Sequence, residues 1–524
     1  MYILIVLPVF VGILAYFLPK KLGVGICIAA QVVHLTYSAF AFFSAKQTPL
    51  ELAVGGWRAP IGIMLYLDNL SAVMVLLVSF LFFMLLLFNI ERHYVDNLFL
   101  MLFLIFEGLM AAIFLCDDLF TIFVMVEVST IVVSLLIMSK RDSRSMYDGM
   151  IYLLVNIFAM TFYLFGLAFL YKQTGTFSLR LIRSLMADVT NVRALYLPYA
   201  FMLTAVCLKA ALMPLFSWLP KAHSTPGAPS VVSAALSGLY VKGGLYLYLR
   251  ITDAFYIIDS SQFFLITGII TAFMGFIFAI CQSDIKLILA YHTVSQIGLI
   301  MIAINMGNVE ARWGGIYHIL SHAIFKTVLF LAAGMFIEEY KTKNIYEMKG
   351  AFKRMPLVSL AAIFAILGIT GAPFFNGSMS KYMISHGSQN LIMDIILVII
   401  SLGTLISFVK FINVFKGPGK RSKASGLRTI IILVLGTLCL FGGLFGEGAI
   451  KFLFDYSEHV VAGEYMVKAL IFIASVAAAY FLYFKLLSGK KFVKTIGGFD
   501  LGINSIALFI VVFFVALSGY LYIT

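Results

Sequence analysis

"LKAALMPLFSWLPKAHSTPGAPS", residues 208–230, sets a lysine, Lys209, inside an apolar run. It follows "LPYAFMLTAVC" and precedes "AALMPLF", so no neighbour in sequence leads it to water. Pro214 and Pro220 come just after it, with His223 three residues further on. Proline inside a helix removes a backbone hydrogen bond and clashes with the preceding turn. Within a bilayer such a break is tolerated only against protein or a water-filled cavity. The stretch therefore reads as an interrupted membrane helix with a cation at its break.

The rest of the chain supplies the membrane. Of 524 residues, 62% are hydrophobic and 12% charged, against about 25% charged in soluble domains. Apolar runs of the roughly 20 residues that span a bilayer recur from Tyr2 to Ile523. They exclude a β-barrel, whose strands are about 10 residues long and alternate. No stretch is long and polar enough for a soluble domain. The first run has no basic residue before it, and Lys20 and Lys21 follow it. That is the reverse of a signal peptide, so it reads as a retained helix starting outside. The five cysteines are scattered without a CxxC pair, which suggests neither a disulfide framework nor an iron–sulfur cluster. The net charge of +13 is read as cytoplasmic loops, not as a nucleic-acid surface.

The fold class expected is an all-α polytopic membrane protein of about 16 spans (14–16). They fall at 2–18, 22–44, 64–88, 97–115, 119–138, 147–171, 196–219, 229–251, 261–282, 286–306, 313–337, 356–386, 391–415, 428–446, 466–487 and 502–522. With the start outside, the loops expected in the cytoplasm carry 22 Lys and Arg and the opposite loops nine. The asymmetry puts both termini on the outer side. Loop 172–195, basic on the outer side, is the exception.

Six lysines lie inside spans: Lys209, Lys242, Lys326, Lys381, Lys410 and Lys468. So do the acids Asp68, Glu107 and Glu127. A charge at the bilayer centre costs at least about 2.5–3.5 kcal/mol, so several in one chain need a reason. Lys468, at a span end, can snorkel to the interface. Asp68 opens "LDNLSAVM", where an acid suits a helix N-terminus. Lys410 is five residues from its span end and admits either reading. Glu107 is central, with no partner evident in sequence. Lys209, Lys242, Lys326, Lys381 and Glu127 are too central to snorkel. Structural ion pairing is the plain alternative for them.

Span 12 repeats the sign of span 7. In "ILGITGAPFFNGSMSKYMISHG", Lys381 follows Gly371, Pro373 and Gly377. The two expected breaks are five spans apart. That suggests two five-helix repeats, 97–251 and 261–415, between N-terminal helices over 1–96 and C-terminal helices over 428–524. An odd number of helices per repeat makes the copies inverted. In span 11, His318, His322 and Lys326 are four residues apart and line one helix face. They read as a proton-relay stripe. "HILSH" lacks the glutamate of the zinc-protease pattern, and no metal is expected. "HTVSQ", 292–296, adds His292 and Gln296.

Five stretches resemble a known family: "DLFTIFVMVEVSTIVVSLLIM" (118–138), "LKAALMPLFSWLPKAHSTPGAPSVVSAALSGLYVKGGLYLY" (208–248), "DIKLILAYHTVSQIGLIM" (284–301), "HILSHAIFKTVLFLAAG" (318–334) and "GITGAPFFNGSMSKYMI" (368–384). They are similar, in order, to the antiporter-like membrane subunits of respiratory complex I. The same family holds Mrp-type cation/proton antiporter subunits and the membrane arms of energy-converting hydrogenases. The resemblance covers roughly 60–415. It implies inverted repeats with helices 7 and 12 broken and a hydrophilic axis through the membrane. By resemblance, Glu127 is the span-5 glutamate and Lys209 its span-7 partner. Lys242 is the connecting lysine of span 8, and His318, His322 and Lys326 are the span-11 relay. Lys381 is the terminal lysine of span 12, where some relatives carry glutamate. The chain departs from the family at Val126, where an aromatic is frequent, and at "GAPFFNGSMSK", where two prolines and a Gly-Phe are. About 14 residues join the last two spans, too few for the long lateral helix of the largest members. The chain resembles the medium-sized ones, with two further C-terminal helices.

The resemblance implies a mechanism. A lysine away from water is drawn toward its neutral form, and a nearby carboxylate holds it charged. Glu127 and Lys209 would be a switchable pair. A released proton would pass Lys242 and span 11 to Lys381. Lysine suits this, because arginine stays charged. Glu107, Asp68, Lys410, His292 and His223 are further candidates for the ion path. No nucleotide loop, haem pattern or flavin fingerprint occurs, so no cofactor is expected in this chain and no redox catalysis by it alone. The expected setting is a prokaryotic cytoplasmic membrane. The expected partners are related antiporter-like and small membrane subunits, a peripheral redox arm and lipid, without nucleic acid. Three readings follow. One is a proton- (or Na⁺-) translocating subunit of a redox-driven, hydrogenase- or complex I-like assembly. Another is a Mrp-type Na⁺/H⁺ antiporter subunit powered by ion gradients. The third is a quinone- or substrate-binding scaffold that moves no ion.

Overall fold

The structure is a computed structural model and describes residues 1–524 except 226, 389, 423–425, 458 and 499–500. Lys423, within the basic loop 416–428, lies outside the described residues. In chain order the helices are α1 Tyr2–Phe17, α2 Lys20–Gln47, α3 Asn69–Asn89, α4 Asn97–Leu115, α5 Leu119–Ile137, α6 Ser143–Thr174, α7 Leu179–Leu185, α8 Arg193–Lys209, α9 Trp218–Ser224, α10 Ser230–Ala235, α11 Val241–Ala254, α12 Ser261–Cys281, α13 Ile285–Asn305, α14 Val309–Tyr340, α15 Ala351–Arg354, α16 Pro356–Thr370, α17 Asn376–His386, α18 Leu391–Val409, α19 Ile412–Phe415, α20 Gly426–Leu444, α21 Gly446–Phe454, α22 Ala462–Phe481, α23 Lys491–Gly497 and α24 Ile503–Ile523. Among the described residues, twelve helical segments are long and apolar enough to cross a membrane. α1 and α16 are shorter apolar helices. The protein is thus a helical, multi-pass membrane protein.

Acidic caps set many of the helix starts. Asp68, Asp96, Asp118, Asp142 and Asp284 each accept a backbone N–H from the first turn of α3, α4, α5, α6 and α13, at 2.6–3.0 Å. The first N–H groups of a helix have no intrahelical partner, and a cap supplies one for about 0.5–2 kcal/mol. Asn308 and Asn390 do the same for α14 and α18.

The helices are accompanied by one short ribbon, in which Leu50–Ala53 pairs antiparallel with Met64–Leu67, and it corrects one boundary. Span 3 was expected from residue 64, but its helix starts at Asn69. Met64–Leu67 is extended, and Asp68 can cap only a helix that begins after it. The link between the strands turns at Gly55 and Gly56, with φ of 66° and 82°, a region open to glycine.

The chain forms two compact units. The first is Met1–Ala228, Leu239–Ser260 and Leu501–Thr524. In it α1 lies so close to α4 that a Cβ on Gly108 would fall 2.7 Å from the Ile5 carbonyl oxygen. The last helix, α24, packs on α8, with Phe514 stacked on Phe201 at 4.2 Å. The second unit is Pro229–Gly238 and Ser261–Asp500. Its α14 is almost wholly buried among α13, α16, α17 and α20.

Candidate functional site

In the first unit the apolar run of α8 stops at Lys209. Ala211 takes a positive φ of 57°. The next segment, α9, begins at Trp218, whose indole N–H donates to the Leu208 carbonyl at 2.7 Å. That bond occupies a carbonyl which continued helix would have used. Lys209 is 3% exposed. Its ammonium donates to Thr130 Oγ1 at 2.6 Å and Tyr240 OH at 3.3 Å. It also sits at the C-terminal, partly negative end of its helix.

Glu127 lies one turn before Thr130 on α5. Its Oε1 is buried and has no hydrogen-bond partner among the described residues. No ion pair within 4.0 Å joins it to Lys209 among those residues. Lys209 is held by Thr130 and Tyr240 instead, so the anticipated pair stands open. Lys242 is fully buried on α11. Two residues on, Gly244 lies against the break: a Cβ there would meet Ala210 N at 2.6 Å. His223 is fully buried on α9.

Asp68 stands outside the spans, capping α3 and pairing with Arg250 at 2.5 Å. Burial pushes its carboxyl up, but the Arg250 guanidinium and the Ser71 hydrogen bonds outweigh that and hold it below the ordinary range. Glu107, fully buried on α4, does have partners: His34 and Gln31 of α2.

In the second unit the histidine stripe of α14 is buried. His318 joins two other helices, with Nδ1 2.7 Å from Ser380 Oγ of α17 and Nε2 3.0 Å from Gln296 Oε1 of α13. Its ring centroid is 6.4 Å from that of His322. Lys326 donates to the Leu289 carbonyl at 2.6 Å. His292 stacks on Phe408 at 4.6 Å, and neither ring nitrogen has a hydrogen-bond partner among the described residues.

α16 ends at Thr370, followed by Gly371 and Phe374 with φ of 84° and 71°. Lys381 of α17 reaches back to this end and donates to the Ile369 and Thr370 carbonyls, both at 3.1 Å. It lines a cavity of about 500 Å³ with Tyr382, His386, Glu464 and Lys468. His386 pairs there with Glu310 at 2.5 Å and Glu464 at 3.3 Å. Lys468 donates to the Tyr382 carbonyl at 3.2 Å. Lys410 has a different place. It donates to the Ala279, Ile280 and Gln282 carbonyls, each at 2.8 Å, and so closes the end of α12.

Among the described residues no cluster of three or more His, Cys, Asp or Glu side chains could hold a metal. Thr130, Tyr240, Ser380, Gln31 and His34 were not anticipated. Thr130 had a signal, three residues after Glu127 on the same helix face. Gln31 and His34 had one too, three apart in an apolar span.

A multi-pass helical protein with lysines inside its apolar bundle, at the ends of interrupted helices, belongs by class to the ion-translocating membrane proteins. The family described as "NADH:quinone oxidoreductase/Mrp antiporter, TM" matches residues 116–407. That is more than half of the chain, and the protein belongs to this family. The D subunit of the Na(+)/H(+) antiporter of Alkalihalophilus pseudofirmus is 28% identical over 456 residues, 83% of this chain and 91% of that protein. The N subunit of the NADH-quinone oxidoreductase of Desulforudis audaxviator is 29% identical over 498 residues, 87% of this chain and 97% of that protein. A chain of the membrane-bound sulfane sulfur reductase, an archaeal respiratory membrane complex, superimposes with a TM-score of 0.81 at 26% identity, covering 91% of this chain and 99% of that one. A chain of the Mrp complex from Dietzia sp. gives 0.76 at 23% identity, covering 95% and 98%, a likeness of fold.

Proposed function

We propose that this chain carries protons across the membrane as an antiporter-like, ion-translocating subunit of a multisubunit complex. Glu127, Lys209 and Lys242 hold the proton in the first unit. His318, His322, Lys326 and Lys381 hold it in the second. One observation carries the reading: two lysine ammonium groups, those of Lys209 and Lys381, lie at the C-terminal ends of interrupted helices. Among the described residues, neither is locked into an ion pair with a carboxylate. A lysine so placed can give up its proton, because hydroxyls and carbonyls hold it less tightly than a carboxylate would.

The finer architecture belongs to the same proposal: 16 spans, with inverted repeats at 97–251 and 261–415. Its support is a set of matched features in the two units. α5 and α13 both start at an aspartate cap, Asp118 and Asp284. Each aspartate bridges to the loop after the next long helix, at Ser178 and at Asn344. Those helices, α6 and α14, have 32 residues each. An interrupted helix comes next but one after each. The basic loops support a placement with both termini outside, and the bacterial and archaeal relatives support a prokaryotic cytoplasmic membrane.

Two driving forces fit. The respiratory relatives favour a redox-coupled complex, and the Na(+)/H(+) antiporter relatives favour an ion gradient. A passive scaffold is disfavoured by the cost of inserting central lysines. The test is proton uptake by inverted vesicles carrying the intact complex, with Lys381→Ala and Glu127→Gln. Both should abolish uptake while the complex still assembles. Uptake at the wild-type rate in both would overturn the proposal. Uptake driven by a Na⁺ gradient without reductant would select the second driving force.

A further inference from the structure

We infer that Gln31, His34 and Glu107 form a further proton-binding site in the first unit, separate from Glu127 and Lys209. All three are nearly or fully buried, at 1%, 1% and 0% exposure. They lie well inside α2 and α4, where a polar side chain is expensive and calls for a purpose.

The geometry fixes most of the hydrogens. His34 Nε2 is 3.0 Å from the Leu4 carbonyl of α1, which only accepts, so Nε2 carries a proton. His34 Nδ1 is 2.7 Å from Glu107 Oε1, so one proton is shared between them. The Gln31 amide NH₂ donates to Glu107 Oε2. Gln31 Oε1 is buried without a hydrogen-bond partner among the described residues. An orphaned buried acceptor is costly, because it has given up water and gained no partner.

That orphan gives the site its second state. A proton added at Glu107 Oε2 leaves Nδ1–H donating to Oε1. Turning the Gln31 amide over then brings Oε1 of the amide to accept from the new carboxyl O–H. The site gains one proton and one positive charge, and the new carboxyl O–H has the amide oxygen as its acceptor. Loss of the shared proton is the unfavourable direction. It leaves the Nδ1 lone pair facing a carboxylate oxygen at 2.7 Å. The site therefore exchanges between one shared proton and two.

The surroundings allow this. α1 presents the Leu4 carbonyl. α2 adds the buried thiol of Cys27, four residues before Gln31, and Ser38, whose hydroxyl bonds to Ser79 of α3 at 2.6 Å. Among the described residues Glu107 forms no ion pair with lysine or arginine, and its one charged partner is itself a titrating group. Gly108 holds α4 tightly to α1 at this level, which keeps the site closed.

Infrared difference spectra of the purified complex, recorded while the pH is lowered, test the inference. The wild type should gain a protonated-carboxyl band that is absent in Glu107→Gln. The band should remain in Glu127→Gln and reappear, shifted, in Glu107→Asp. In Gln31→Leu it should move to the frequency of a carboxyl group without a hydrogen-bond acceptor. No band assignable to Glu107 in the pH range where the complex stays assembled would overturn the inference. So would a band indifferent to Gln31. Wild-type transport rates in both Lys381→Ala and Glu127→Gln would sink the proposed function and leave this titration unaffected, so the two can fail separately.

Discussion

At the scale of single residues, the account depends on which groups hold each buried lysine. Lys209 rests on the Thr130 hydroxyl, and a hydrogen bond to a charged group is worth about 1.5–3 kcal/mol. Thr130→Val should therefore slow proton transport roughly 10-fold or more, and Thr130→Ser should restore it. Vesicle uptake rates check both. Lys410 predicts the opposite. It satisfies three carbonyls at the end of α12. Lys410→Met should destabilise the protein by about 1–3 kcal/mol, read as a lower Tm in detergent. Transport per assembled complex should be unchanged. The sequence made the lysines themselves legible, because a charge in an apolar run is a signal in one dimension. It did not separate Lys410 from Lys209. Their roles depend on carbonyls and hydroxyls brought in from other helices, 128–131 and 79 residues away. Gln31, His34 and Glu107 show the same limit, as Glu107 meets its partners only when α2 packs on α4.

At the scale of elements, the interrupted helices were legible because proline and glycine break the ladder wherever they fall. What holds the break open was not. α11 presses a glycine, Gly244, onto the backbone of Lys209 and Ala210. Gly244→Ala would force that end to move, and overpacking of this kind costs about 1–3 kcal/mol. Transport should fall further in this variant than the amount of assembled complex does, measured on the same membranes. The start of α3 makes a pH prediction. Asp68 has a carboxyl pKa below the ordinary value. The stability it lends is fully present above the unfolded carboxylate pKa of about 3.9 and is lost as pH falls through the lower folded value. Asp68→Asn should lower Tm at neutral pH and cease to matter in strong acid. A thermal series against pH checks this. The strand pair at 50–67 escaped the sequence reading because two short strands beside a long apolar run look like loop and helix start.

At the scale of the whole molecule, composition alone decided the membrane, and the charge bias of the loops suggested its orientation. The number of spans is harder to read. Interrupted helices such as α8–α9 and α16–α17 are too short for a rule built on continuous apolar length. A family shared by redox complexes and gradient-driven antiporters leaves the energy source to partner subunits. The central claim stays with this chain: Lys209 must lose and regain its proton. Lys209→Arg tests it most directly, because arginine keeps the positive charge and hydrogen-bonding capacity but stays protonated. In inverted vesicles with the complex assembled, the account predicts that Lys209→Arg abolishes proton translocation. Translocation at the wild-type rate with arginine in place would contradict it, because a fixed charge would then suffice.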